Sequence, residues 1–263
     1  MSSALSPGPN KLAANYSQLN EYQMIMGKDF FSSLNKEHGG CLRVLDMGCG
    51  TGELTAFIAD TVGDNSDVVG VDPISDRINI AFNKNYRENL TFIHGDSSSR
   101  FPHYNEAYYD LHFSNLVIQW LNSREKEIFI NTAFRILKAG GRLAVHSLEE
   151  QSEILATALD LLLNDGITKS KQPVAEYFVN RAEFEKMLKR AGFDIISSEN
   201  KPASYKFENL DHFLNWIRAT YYISESKLCG RKMEEFLQKF ANHDGTVTIS
   251  EPSVYQIIAM KPQ

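Results

Sequence analysis

Residues 43–62, RVLDMGCGTGELTAFIADTV, constrain this chain more than any other stretch. An apolar run with strand character, RVLDM, gives way to GCGTG, in which Gly48, Gly50 and Gly52 fill three of five positions. A run with helical spacing follows at once. Glycine loses more conformational freedom on folding than any other residue, so such a cluster marks a place where something approaches the backbone closely. A strand, a glycine turn and a helix in that order also put the turn at the carboxyl end of a strand. In open α/β sheets, that is where ligands bind.

The rest of the chain repeats the pattern. Strand-like runs DVVGVD, LTFIHGD, YYDLHFSN, GRLAVHSL and FDIISSEN are separated by helical runs SDRINIAFNKNY, EKEIFINTAFRILK and RAEFEKMLKRAG. Short β-rich segments alternating with helices of about ten residues predict an α/β fold with a parallel, doubly wound sheet. VYQIIAM is one more strand, reached from GTVTIS across a turn containing Pro252. Ahead of the glycine turn, Tyr22, Met26, Phe30 and Leu34 recur at helical spacing and predict an N-terminal helix. KAGG, residues 138–141, reads as a helix C-cap and turn without chemistry, since glycine accepts the left-handed conformation there.

Composition narrows the partners. With 263 residues, 43% of them apolar, the chain can bury one core plus a small lobe. A net charge of −6 gives no footprint for polyanions, so no nucleic acid is expected. Cys41, Cys49 and Cys229 lack CxxC spacing, and the seven histidines are scattered, so neither a disulfide framework nor a metal site is expected. No apolar run approaches the roughly 18 residues of a membrane span, and the N-terminus lacks a secretory pattern. The expected location is cytoplasmic.

The glycine turn itself separates two ligand classes. A dinucleotide-binding turn needs glycine at a third position that is Glu53 here, and a carboxylate at that helix start opposes a pyrophosphate. The pattern present is D-x-G-x-G-x-G, led by Asp46, which suits a ligand with positive charge.

On these residues, VLDMGCGTG resembles motif I of the class I S-adenosylmethionine-dependent methyltransferases. The resemblance covers about residues 40 to 150, with looser agreement beyond. It implies S-adenosyl-L-methionine as cofactor and a Rossmann-like, seven-stranded, mostly parallel sheet with an antiparallel last strand. It places Asp72, before Pro73, on the ribose hydroxyls, about 20 residues past the glycines as expected for such an acid. Asp96 and Ser97 of IHGDSS would hold the adenine, and backbone near Asn115 in FSNLVIQWL would face the methionine part. Taken alone, Asp72 also suits a turn and Asp96–Ser97 a helical cap.

QWL after the fourth strand is similar to the small-molecule carboxyl methyltransferases, among them the trans-aconitate and juvenile hormone acid enzymes. NYSQLNEYQ is similar to the first helix of the latter, in which a Tyr and a Gln close over cofactor and acceptor. That resemblance implies cofactor contact by Tyr16 and acceptor contact by Gln23, Gln119 and Trp120. The juvenile hormone branch carries His where Gln119 stands. A carboxylate is already an anion at neutral pH and needs no base, which fits the absence of an evident one. The expected function is methyl transfer to a small molecule, preferably a carboxylate. Methylation of nitrogen or carbon on an amine or ring, and a cofactor-binding regulator without turnover, stay open. The expected organisation is a disordered lead (1–10), an N-terminal helical flap (11–39), the cofactor-binding core (40–200), a helical lid insert (201–245) and a last strand completing the sheet (246–263). The aromatics of the insert suit either an apolar pocket or cover for the sheet edge. A monomer or homodimer is expected.

Overall fold

A computed structural model describes residues 9–34, 41–163, 177–223 and 231–263. Residues 1–8 of the N-terminal lead and Cys229 fall outside the described residues. The glycine-turn unit is β1 (Arg43–Met47) followed by α3 (Glu53–Val62), and β2 (Asp67–Asp72) returns beside β1. Then come α4 (Ser75–Lys84), β3 (Leu90–His94), β4 (Tyr109–Asn115), α5 (Ser123–Ile136), β5 (Leu137–Leu148) and α6 (Glu153–Leu163). The C-terminal part holds α7 (Arg181–Arg190), β6 (Asp194–Asn200), β7 (Ala203–Phe207), α8 (Leu210–Tyr221), α9 (Arg231–Phe240), β8 (Val247–Glu251) and β9 (Val254–Met260).

A seven-stranded sheet with order β3-β2-β1-β4-β5-β9-β6 forms the centre. Its first five strands are parallel, and β9 runs antiparallel between β5 and β6, as the sequence resemblance implies. The inner strands are buried on both faces, which explains why β1 and β2 read as nearly continuous apolar runs rather than alternating ones. Val44, Val68 and Ala144 pack with Phe30, Phe31 and Ile58 on one side. Leu45, Val69, Leu143 and Val145 pack with Phe129, Ala133 and Phe184 on the other.

Four features depart from the sequence reading. The N-terminal helix is two helices, α1 (Pro9–Leu19) and α2 (Glu21–Leu34), so Pro9 opens a helix instead of closing a lead. The break falls at Asn20, whose amide reaches Thr51 Oγ1 at 3.3 Å and Glu53 Oε2 at 2.9 Å. KAGG is not a helix cap: α5 passes directly into β5, and the four residues form an irregularity between the paired positions Leu137 and Arg142. The insert is not purely helical, because β7 and β8 form a separate two-stranded antiparallel sheet. VTISE therefore joins β7, and only β9 completes the central sheet. Finally, the insert's aromatics are not confined to one of the two expected roles: Phe207, Phe213 and Phe236 are buried in a core shared with Tyr22, Leu148 and Leu155, while Trp216 and Tyr221 also line a cavity. No helix of the described residues is long and apolar enough to cross a membrane.

Candidate functional site

All three glycines of the turn hold left-handed backbone angles, with φ of +90° at Gly48, +59° at Gly50 and +87° at Gly52. Their surroundings differ. A Cβ on Gly48 would lie 2.2 Å from Val117 Cγ2, and one on Gly52 2.6 Å from Phe92 Cζ. Those two glycines let neighbouring elements close in. Gly50 instead lines the crevice, where a Cβ would meet only the Tyr16 ring, at 3.3 Å. The turn is fastened to β2: Gly48 and Cys49 donate to Val71 O at 2.7 and 3.0 Å, and Gly50 N donates to Asp72 Oδ2 at 3.0 Å.

Asp72 ends β2 and also accepts from Ile74 N through Oδ1, at 2.9 Å. A carboxylate offers about four acceptor positions, so two stay free for a ligand hydroxyl. Burial raises its pKa, opposed by the nearby Arg77 guanidinium and the two backbone N–H groups. Asp46 is buried in β1 and accepts from Thr55 Oγ1 at 2.7 Å; burial pushes its pKa up to about 7. Two buried acids, offset by the single Arg77 guanidinium, leave this end of the crevice able to compensate a positively charged ligand.

At the end of β3, Asp96 closes a turn, accepting through Oδ1 from Ser98 N at 2.7 Å and from the hydroxyls of Ser98 and Ser99. Burial works to raise its pKa, but these hydrogen bonds outweigh it and hold the carboxyl below its usual value. Asp96, Ser97 and Pro73 all line the crevice. The cap and ligand readings of this pair are therefore compatible.

Above the turn lies α1. Tyr16 stacks on the Arg77 guanidinium at 4.0 Å, the Tyr222 ring lies on the same guanidinium at 5.2 Å, and Arg77 Nη2 donates to Thr220 O at 3.2 Å. Burial pushes the Tyr16 hydroxyl up to about 12. Ser17 Oγ and Asn20 Nδ2 donate to the two oxygens of Glu53, at 2.5 and 2.9 Å. Glu53, which spoils a pyrophosphate turn, thus ties α1 to the start of α3. Sequence reasoning missed Arg77, whose partners Tyr16, Thr220 and Tyr222 are far away in the chain.

A single cavity of about 780 Å³ runs from Asp46, Gly50, Asp72 and Asp96 to a chamber lined by Tyr22, Gln23, Trp120, Trp216, Tyr221 and Glu251. Its size is within the usual range for small-molecule sites. The structure brings Gln23, Gln119 and Trp120 to this wall, with part of their hydrogen-bonding capacity already engaged within the protein. Leu116, left-handed at φ +57°, turns its carbonyl toward the short 3-10 turn Ile118–Trp120. Gln119 Nε2 and Trp120 Nε1 both donate to that oxygen, at 3.0 and 3.2 Å, while Gln119 Oε1 accepts from Ser147. The Trp120 N–H and one of the two Gln119 N–H bonds thus hold the loop. Asn115 is similarly engaged, bridging Gln23 O and His146. Of the three, Gln23 alone keeps its amide N–H₂ without a hydrogen bond here; its Oε1 accepts from Trp216 Nε1 at 3.0 Å.

Sequence reasoning also missed Glu251, at the end of β8 and 2% exposed. Ser152 Oγ donates to Glu251 Oε1 at 2.8 Å, yet burial still pushes the carboxyl up to about 7.

These features fit S-adenosylmethionine on structural grounds. Gly50 leaves a cradle that a Cβ would enter, Asp72 and Asp96 stand at the ends of adjacent strands, and Asp46 lies below the turn, where a ligand's positive charge would favour its ionised form. Comparison with known proteins agrees. A family model described as "Methyltransferase domain" matches residues 39–178. A malonyl-[acyl-carrier protein] O-methyltransferase of Bacillus cytotoxicus is 28% identical over 115 residues, 43% of this chain and 39% of that protein. A ubiquinone/menaquinone biosynthesis C-methyltransferase of Erwinia tasmaniensis is 33% identical over 124 residues, 45% of this chain and 47% of that protein. The matches thus span less than half the length of these two relatives. Among solved structures, phosphoethanolamine N-methyltransferase 2 of Haemonchus contortus superposes with a TM-score of 0.56 over 90% of this chain and 52% of that one, at 18% identity. That likeness is one of fold. With more than half of its length matched by the family model, the chain belongs to the methyltransferase-domain family of S-adenosylmethionine-dependent enzymes.

Proposed function

We propose that this protein transfers the methyl group of S-adenosylmethionine to a small molecule held in the same cavity. The observation that carries the reading is continuity: one cavity joins the glycine turn and its acids to an aromatic chamber. When bound, the cofactor supplies a methyl group made electrophilic by its sulfonium charge. Gly50 and Asp72 would hold the ribose side, Asp96 and Ser97 the adenine, and Asp46 would balance positive charge. α1, fastened through Glu53 and Arg77, covers the turn and excludes water. Trp120, Leu148, Leu155 and Trp216 give the chamber apolar walls that orient an acceptor.

A carboxylate is not the acceptor we favour. Gln119 gives one of its two amide N–H bonds and Trp120 its single N–H to Leu116 O, and Glu251, once ionised, would repel a second carboxylate. A neutral or cationic acceptor meets neither objection. The named relatives methylate oxygen in one case and carbon in the other, so they support methyl transfer without fixing the atom.

Radiolabel transfer from S-adenosylmethionine onto panels of amines, phenols and acids tests this reading. Label on an amine or phenol is the expected result. Base-labile label on acids alone would restore the carboxylate. Tight cofactor binding with no transfer to any acceptor would instead identify a regulator without turnover.

A further inference from the structure

Glu251 is a buried acid at the cavity wall on which, among the described residues, no basic side chain acts: Ser152's hydroxyl and the Glu150 carboxylate are the neighbours that bear on its charge. Burying an ionised carboxylate without a cation is costly, and proteins ordinarily pair such a group. Here the open side of the pair is the cavity. The same carboxylate acts on Tyr22 and Tyr221, which places both phenols near it.

A second observation points the same way. Tyr22, 4% exposed and lining the cavity, has a buried hydroxyl without a hydrogen-bond partner among the described residues. Around these polar atoms stand rings: Tyr22 meets Trp216 edge-on at 5.6 Å, and Trp120 lies 5.1 Å from Tyr221. An acid, an unpaired phenol and several aromatic rings, brought together from α2, the turn after β4, α8 and β8, are the chemistry that holds an organic cation.

We propose that this chamber binds an ammonium group on the acceptor molecule, with the Glu251 carboxylate as counter-ion, the Tyr22 oxygen accepting one N–H, and Trp120, Trp216 and Tyr221 as walls. The assignment rests on the reading of the cavity as a methyl-transfer site and names the substrate class that site takes. A bound cation would also bring the Glu251 carboxyl back toward its ordinary range, so the acid would be ionised in the complex.

Calorimetric titration of the full-length protein, saturated with S-adenosylhomocysteine, with three probes of one size tests the proposal. Benzylammonium is expected to bind at least tenfold more tightly than benzyl alcohol, and phenylacetate to bind most weakly. Glu251→Gln should lower benzylammonium affinity tenfold or more and leave benzyl alcohol affinity unchanged; Tyr22→Phe should lower the former a few-fold. Phenylacetate binding as well as benzylammonium, or benzylammonium no better than the alcohol, would overturn the proposal without any variant. Saturation with S-adenosylhomocysteine is measured first. Its failure would strike the methyl-transfer reading, while the three-probe comparison on the free protein would still decide the cation site.

Discussion

Asp46 and Asp72 are both shut away from water, and each meets that cost differently. Asp72 is compensated by two backbone N–H groups and the nearby Arg77 guanidinium, whereas Asp46 has the Thr55 hydroxyl and a raised pKa of about 7. In the unfolded chain Asp46 would ionise near 3.8. Between about pH 4 and 7 the unfolded state therefore releases this proton first, and the wild type loses stability as pH rises. Asp46→Asn removes that liability and keeps an acceptor for Thr55. Its melting temperature relative to wild type should climb from pH 4 to 7 and level off above. A difference that stays flat across that range would show that Asp46 is ionised throughout. At this scale the sequence was informative about strand ends: Asp46, Gly50, Asp72 and Asp96 stand together around one crevice. It was silent on Arg77 and Glu251 and showed Tyr22 only as part of a helix's apolar face, because each takes its further meaning from residues distant in the chain. It also did not show how Gln119 and Trp120 are held. The left-handed angle at Leu116 turns one carbonyl toward both N–H groups, and nothing in QWL announces that backbone turn.

Among the elements, α1 is the one whose attachment bears most on the site. It packs over the glycine turn, held by Ser17 and Asn20 on Glu53 and by Tyr16 on Arg77. Two hydrogen bonds to a charged acceptor are worth on the order of 1.5–3 kcal/mol each when buried, and half-burial lowers that to about 1–2 kcal/mol in total. The Ser17→Ala/Asn20→Ala variant should accordingly exchange its α1 amides roughly tenfold faster or more, with β1 and β4 unchanged. Hydrogen exchange resolved by segment reads this directly; faster exchange in the central strands would mean that α1 supports the core rather than the crevice. The element pattern of the sheet was legible because buried parallel strands and amphipathic helices carry different periods. The break at Asn20 and the β7–β8 pair were not, since one is decided by a side chain reaching Glu53 and the other by two short strands joined only in space.

Across the whole molecule, two buried histidines contribute to the response to acid. Burial pushes His112 and His146 down to about 3, and neither nitrogen of His112 has a hydrogen-bond partner among the described residues. The unfolded chain takes up these protons near pH 6.5 and the folded one does not, so the histidines' contribution to stability falls as pH drops from about 6.5 toward 3, opposite in sign to the Asp46 contribution. His112→Leu, which suits the apolar surroundings near Phe129, should lessen that fall, as thermal melts between pH 3 and 7 would show. An unchanged acid profile would assign the loss to other groups. The central claim concerns the crevice that the whole fold assembles, and calorimetric titration with S-adenosylhomocysteine tests it most directly. The wild type should bind one equivalent. Asp72→Ala should weaken binding by about 2–3 kcal/mol, through lost hydrogen bonds to a charged group. Gly50→Val, strained at φ +59° and carrying its side chain into the crevice, should abolish binding while circular dichroism reports a retained fold. No binding by the wild type, or wild-type affinity in a folded Gly50→Val protein, would contradict the account.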